Sequence, residues 1–228
     1  MSASLHIVFL DSQYLGKPKS LEQVVQVFID ADFEIDRFEI EGSNISWEEY
    51  TQKPEAMMSL AYEVKELSFR AFNPKWRFEI LEQIGWGIMK LGGERRAWIR
   101  TVTDNTPYFW RAEYNPASYS RFFLDIGKSL YEVLRPTFGW IDFDYGLRTT
   151  HEHIEALELP VLYWANFFGP AYVDKIGRDK ILTAPAWAIE ELSDDGILYV
   201  LASCPGLETD HVPVEKVKAH FSVENVRC

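Results

Sequence analysis

The sequence predicts an α+β fold, a mixed and mostly antiparallel sheet with helices packed on one face. Three observations lead to it. A long amphipathic helix over 115–135 is followed at once by an alternating strand at Trp140. Runs rich in branched and aromatic residues recur between short turn signals. Ser193-Asp194-Asp195-Gly196 then joins two apolar runs in the manner of a hairpin. The 228 residues are 47% hydrophobic and 25% charged, a globular composition. A chain of this size buries roughly 70% of its extended surface, enough for a core without disulfide staples.

Leu5–Leu10 is apolar apart from His6 and reads as a short buried strand. Ser20 with Gln23 three residues on is a capping-box signature. Leu21, Val24, Val25 and Phe28 then recur at helical spacing and predict a helix as far as Ala31. The stretch 33–41 alternates imperfectly, with Phe33, Ile35, Arg37 and Glu39 on one side and Glu34, Asp36, Phe38 and Ile40 on the other, and is read as a strand. The polar segment 42–54 is the expected break if the chain divides at all. One domain over 1–228 is therefore predicted, with 1–55 left open as a separate βαβ subregion. Runs 61–72, 76–91 and 96–103, separated by Asn73-Pro74 and Gly92-Gly93, read as antiparallel strands, and 108–114 as one more. The middle run also suits a helix through Ile80, Leu81, Ile84 and Ile88.

Asn115-Pro116 supplies an N-cap residue and a proline at the first helical position, and Pro136 ends the helix. Tyr119, Phe122, Phe123, Ile126, Leu130, Val133 and Leu134 form its apolar stripe, opposite Arg121, Asp125, Lys128 and Glu132. In the strand that follows, Trp140, Asp142 and Asp144 share one face and Ile141, Phe143 and Tyr145 the other, which predicts that the two carboxylates lie on a wet face. Residues 149–159 suit a short acidic helix or loop, and 161–168 are apolar and aromatic. Gly169-Pro170 opens a helix with Gly177 as its C-cap, 186–192 and 197–202 flank the Asp-Gly turn, and Pro213 begins a terminal helix carrying Val214, Val217 and Phe221.

Asp and Glu number 35 against 23 Lys and Arg, a net charge of −12. Phosphate-neutralising contact with nucleic acid needs clustered basic residues, so a nucleic-acid partner is not expected and a basic protein partner is. The 34 aromatic residues exceed what a core of this size requires, and some are expected to face a groove or a partner. Two cysteines, Cys204 and Cys228, offer no disulfide framework and suit a reducing compartment, hence the cytoplasm. The first residues lack the basic start of a signal peptide, and no run approaches the ~18 apolar residues of a membrane span.

The P-loop, the dinucleotide glycine pattern and the Gly-x-Ser-x-Gly elbow are absent, so no cofactor is expected. His151, Glu152, His153 and Glu155 form a His-carboxylate cluster. Histidines two apart diverge on a helix, where metal pairs come at i, i+4, so no metal is expected. Cys204 precedes His211, but no glycine-rich turn onto a helix start supplies an anion hole, and Cys204 is read as a core residue.

Within 163–187, YWANFFGPAYVDKIGRDKILTAPAW, the chain carries an aromatic-Gly-Pro-x-Tyr-Val run ending at Val173, then Gly177-Arg178, then Ala184-Pro185-Ala186 before an acidic hairpin. With the preceding helix and Phe138-Gly139-Trp140-Ile141-Asp142, this resembles bacterial immunity proteins of polymorphic and type VI toxin systems, in particular the immunity protein 52 family, over about residues 61–202. The resemblance implies a single-chain, mixed α+β, non-enzymatic protein that binds and blocks one cognate toxin in the producing cell. Together with the charge, it makes Asp142, Asp144, Asp194 and Asp195 the expected partner-binding residues against a basic toxin. The rival expectation is an enzyme or small-molecule binder with an aromatic-lined pocket and Asp142 or Asp144 as the acid-base group, and a third is an oligomeric scaffold.

Overall fold

The computed structural model describes residues 5–12, 14, 17–75, 78–85, 90–91, 94–95, 98–103, 116–143, 149–205 and 212–227. In chain order, β1 (Leu5–Leu10) leads to helix α1 (Pro18–Asp30), strands β2 (Glu34–Ile40) and β3 (Ser43–Ser46), and helices α2 (Trp47–Gln52) and α3 (Pro54–Val64). Strands β4 (Glu66–Asn73), β5 (Phe78–Gly85), β6 (Lys90–Leu91), β7 (Glu94–Arg95) and β8 (Trp98–Thr103) follow, then the long helix α4 (Pro116–Leu134) and β9 (Phe138–Phe143). The last third holds α5 (His151–Glu155), β10 (Val161–Leu162), β11 (Ala165–Phe168), α6 (Pro170–Ile176), α7 (Arg178–Leu182), β12 (Ala188–Glu191), β13 (Ile197–Val200), α8 (Val214–Phe221) and β14 (Asn225–Val226).

Ten of these strands form one sheet in the order β12-β13-β11-β9-β1-β8-β5-β4-β2-β3, and every described pairing within it is antiparallel. The expected α+β class is the observed one. The expected helix layer on one face includes α1, α3 and α4, whose Phe28, Met58, Phe123, Ile126 and Leu130 bury against Leu5, Ile7 and Phe9 of β1 and their neighbours, with Tyr50 of α2 in the same cluster. A second layer covers the other face, but only at one end. There α5, α6, α7 and α8 bury Ile154, Tyr172, Ile181 and Val217 on Val8, Phe138, Trp140, Phe168 and Tyr199.

The registers explain why the second layer stops where it does. On the face it covers, one row across the sheet runs Ile189, Tyr199, Asn166, Trp140 and Val8, and continues past β1 as Arg100 and, two strands on, Ser68 and Glu39. The row is largely apolar as far as β1 and polar beyond it, so only the first half has surface worth burying. Among the described residues no helix covers this face from β8 to β3.

Several local expectations are corrected. Helix α1 begins at Pro18 with Lys17 at its N-cap position and no side-chain cap, so Ser20 lies inside the first turn and Ser20/Gln23 is not the capping box. A capping box exists instead at Ser46 and Glu49, where the segment read as an irregular break forms the β2–β3 hairpin and α2. Residues 61–64 belong to α3, not to a strand. The segment 1–55 joins the common sheet and builds no βαβ unit: β1 lies at its centre, with β8, β5 and β4 between it and β2. The strand expected over 108–114 lies outside the described residues.

The imperfect alternation of β2 has a physical cause. A bulge between Ile35 and Arg37 adds one residue against β4, so Ile35, Phe38 and Ile40 all reach the core while Glu34, Asp36, Arg37 and Glu39 are exposed.

Two glycines behave differently. Gly177 ends α6 at φ +98, which an L side chain rarely adopts, and the space around it is open. Gly169 has an ordinary backbone, but a Cβ there would lie 2.4 Å from the Pro136 carbonyl oxygen. Gly177→Val should therefore cost about 1 to 2 kcal/mol through its backbone, and Gly169→Ala about 1 to 3 kcal/mol through overpacking, both read from urea denaturation midpoints. Ile126→Asp, which forfeits about 1.5 to 3 kcal/mol of burial and strands a charge on the face of α4 under the sheet, should leave no folded protein by circular dichroism.

Candidate functional site

The hairpin β12–β13 carries two of the four expected carboxylates, and side chains from α4 and α7 hold it. Asp194 Oδ1 accepts hydrogen bonds from the Tyr131 hydroxyl at 3.0 Å and from the Gly196 N–H at 3.1 Å. The Ser193 hydroxyl donates to Glu132, and Arg178 pairs with Glu191 while donating to the Asp195 carbonyl oxygen at 2.7 Å. Lys128 bridges Asp125 at 3.0 Å and Glu190 at 3.1 Å, and Arg121 adds longer contacts to both. Each exposed pair is worth little alone, but together they fix the turn on the rest of the fold. Burial and the Asp194 carboxylate push the Tyr131 hydroxyl well above the usual tyrosine range, so it remains a donor at any working pH.

What the turn presents is charge. The Asp195 side chain is 93% exposed, at φ +70, and that of Glu191 is 61% exposed. At the other end of β12, about 13 Å away along the strand, Trp187 is 43% exposed. Between them runs β12, an edge strand of the sheet. Trp187 falls inside the strand expected over 186–192, where nothing in the sequence distinguishes an exposed aromatic from a buried one.

Asp142 and the hairpin carboxylates are not brought together. Ala165 pairs with both Ile141 and Val200, next to Asp142, whereas the turn follows the opposite ends of β12 and β13. Nor does Asp142 lie on a wet face: it is 3% exposed, because the second helix layer covers the face that Trp140 and Asp142 share. This removes Asp142 from any partner surface. Asp144 lies outside the described residues.

The buried Asp142 carboxyl is raised to about 6. Burial drives the shift, against the opposing effects of the Phe143 N–H (2.7 Å), the Arg227 guanidinium and the Trp164 N–H. His6 is its cross-strand partner on β1, and the His6 Nδ1 accepts from Arg100 Nε at 3.0 Å.

The remaining candidates serve the fold. The His153 ring folds back on Thr150, 3.0 Å from its hydroxyl and 3.1 Å from its N–H, and so completes the start of α5. Among the described residues no three His, Cys, Asp or Glu side chains are placed to hold a metal ion. Cys204 is buried, and His211 lies outside the described residues. Among the described residues most aromatics pack in the core, as in the stack of Trp140 on Tyr163 at 4.6 Å and the cluster of Phe138, Phe168 and Tyr172, while Tyr62, Phe72 and Trp187 are exposed. Three clefts among the described residues, of about 590, 540 and 410 Å³, each have a single aromatic in their lining: Phe72, Tyr14 and Phe221. None is the aromatic-lined pocket of the rival expectation.

The arrangement defines an antiparallel α+β protein with a stapled acidic hairpin and an exposed tryptophan along one sheet edge. Comparison of the sequence with protein-family profiles and with curated proteins finds no match. No helix among the described residues is long and apolar enough to cross a membrane.

Because the folded Asp142 value lies above the ordinary 3.8, the folded state binds its proton more tightly, and this group destabilises the fold increasingly as pH rises through that interval. The expected outcome is that Asp142→Asn is more stable than the wild type at pH 7.5, and that this advantage shrinks by about 2 kcal/mol at pH 4.5. Urea titrations of both proteins at the two pH values measure it.

Proposed function

We propose that this chain is a cytoplasmic binding protein that neutralises a cognate bacterial toxin by stoichiometric association, without turnover of its own. The carrying observation is the β12 edge, where Trp187 and the carboxylates of Asp195 and Glu191 are held outward by a stapled hairpin. A preorganised surface loses little entropy on binding, an exposed aromatic is the usual anchor of an interface, and carboxylates raise the association rate with a basic partner. The run that resembles the immunity protein 52 family folds as β11, α6 and α7 and leads directly into this edge, so resemblance and surface coincide in the chain. The net charge of −12 supports a basic partner.

An enzyme reading has one observation in its favour: the Asp142 carboxyl, raised to about 6, would suit an acid-base group. Its burial beneath Trp140 and the second helix layer argues for a structural role.

The test is capture of the product of the neighbouring gene by the purified protein, with association rates taken at low and high salt. Trp187→Ala should weaken the complex by about 2 kcal/mol or more, mainly through faster dissociation. The double variant Glu191→Gln with Asp195→Asn, where Asn tolerates the left-handed backbone, should slow association about tenfold at low salt and change it little at high salt. Failure to bind that product, with turnover of a small substrate that Asp142→Asn abolishes, would replace this reading by the enzyme.

A further inference from the structure

The half of the sheet on which no described helix packs at this face holds a cleft of about 590 Å³ that the toxin-binding reading does not use, on the strands β2, β4 and β5. Its floor is organised by charge along the strands. Phe72, 36% exposed, stands in register between Glu34 on β2 and Glu79 on β5, both exposed. Two residues along β4, Arg70 stands directly opposite Arg37. One end of the cleft is thus an aromatic ring between two carboxylates, and the other is a pair of guanidinium groups, about 7 Å away.

The bulge in β2 creates this arrangement. Regular pairing from Ile35 and Ala71 would set Asp36 opposite Arg70, an ordinary cross-strand ion pair, and would turn Arg37 toward the core. The extra residue instead sets Arg37 opposite Arg70 and displaces Asp36 to the rim, where it pairs with Arg37 at 3.0 Å. The bulge therefore sets two guanidinium groups side by side at the mouth of the cleft.

We propose that this cleft binds a small ω-ammonium carboxylate, its carboxylate forked between Arg37 and Arg70 and its ammonium over Phe72 between Glu34 and Glu79. Guanidinium groups match a carboxylate bidentately. An aromatic face flanked by carboxylates favours an ammonium through both cation–π and charge attraction. A ligand with only an anion meets the acidic end unfavourably, and one with only a cation meets the arginines. Selectivity therefore requires both charges at this spacing, which a five-methylene chain spans.

The experiment is an amide chemical-shift titration of the full chain with three probes: 6-aminohexanoate, hexanoate and hexylammonium. Saturable shifts at Arg37, Arg70 and Phe72 with 6-aminohexanoate are expected, with each singly charged probe at least tenfold weaker. Arg70→Gln and Glu79→Gln, both at the accessible cleft, should each weaken 6-aminohexanoate about tenfold, and Glu79→Gln should leave hexanoate no weaker. Equal binding of all three probes, absence of saturation at these amides, or indifference to both substitutions would overturn the proposal. None of these outcomes bears on capture of a toxin through the β12 edge.

Discussion

The pairing of β1 between β9 and β8 is the constraint on which the rest of the structure depends. On one side of it lie β9, β11, β13 and β12, and on the other β8, β5, β4, β2 and β3, so the first strand of the chain joins segments that come from its two ends. All six of its residues are buried, with Leu5, Ile7 and Phe9 under one helix layer and Val8 and Leu10 under the other. A strand that must be apolar on both faces can only be central, and it sets the level at which α4 rests on the sheet. The chain therefore cannot complete its sheet until residues more than 130 apart have met, a non-local pairing of the kind that slows folding.

From β1 outward the two halves diverge. Toward β12 both faces are apolar and a second helix layer closes over the second of them, whereas toward β3 one face carries Glu, Arg and Ser and no described helix packs on it. The covered half provides the stiff support from which the acidic hairpin projects, and the open half provides a cleft whose charge order follows from one inserted residue. Both exposed features lie where the sheet runs out of apolar partners, at an edge strand and at a bare face.

The buried cross-strand pair His6 and Asp142, with the partly buried Arg100 donating to His6, lies at the boundary between the halves. Polar groups at that depth are retained at a cost, and the elevated Asp142 carboxyl is a measure of it. Arg227, which favours the charged form, follows β14, the short strand that pairs in parallel with β10. The end of the described chain is thus tied electrostatically to the middle of the sheet.

Much of this was legible in the residues. The stripe of α4, the strand β1, the Asp-Gly hairpin and the short helix between Gly169 and Gly177 follow from periodicity and turn chemistry, which are local properties that neighbours did not override. Asp195 lies at an exposed turn for the same reason. The position of Asp142 was not legible, because alternation says which residues share a face but not whether a later helix will cover that face. The opposition of Arg37 and Arg70 depends on a bulge, and the stapling of Asp194 by Tyr131 joins residues 63 apart. The sequence by itself determined the elements and the excess of negative charge. Only the tertiary structure decided which carboxylates face water and which charges face each other, because those depend on register and layering between segments distant in the chain.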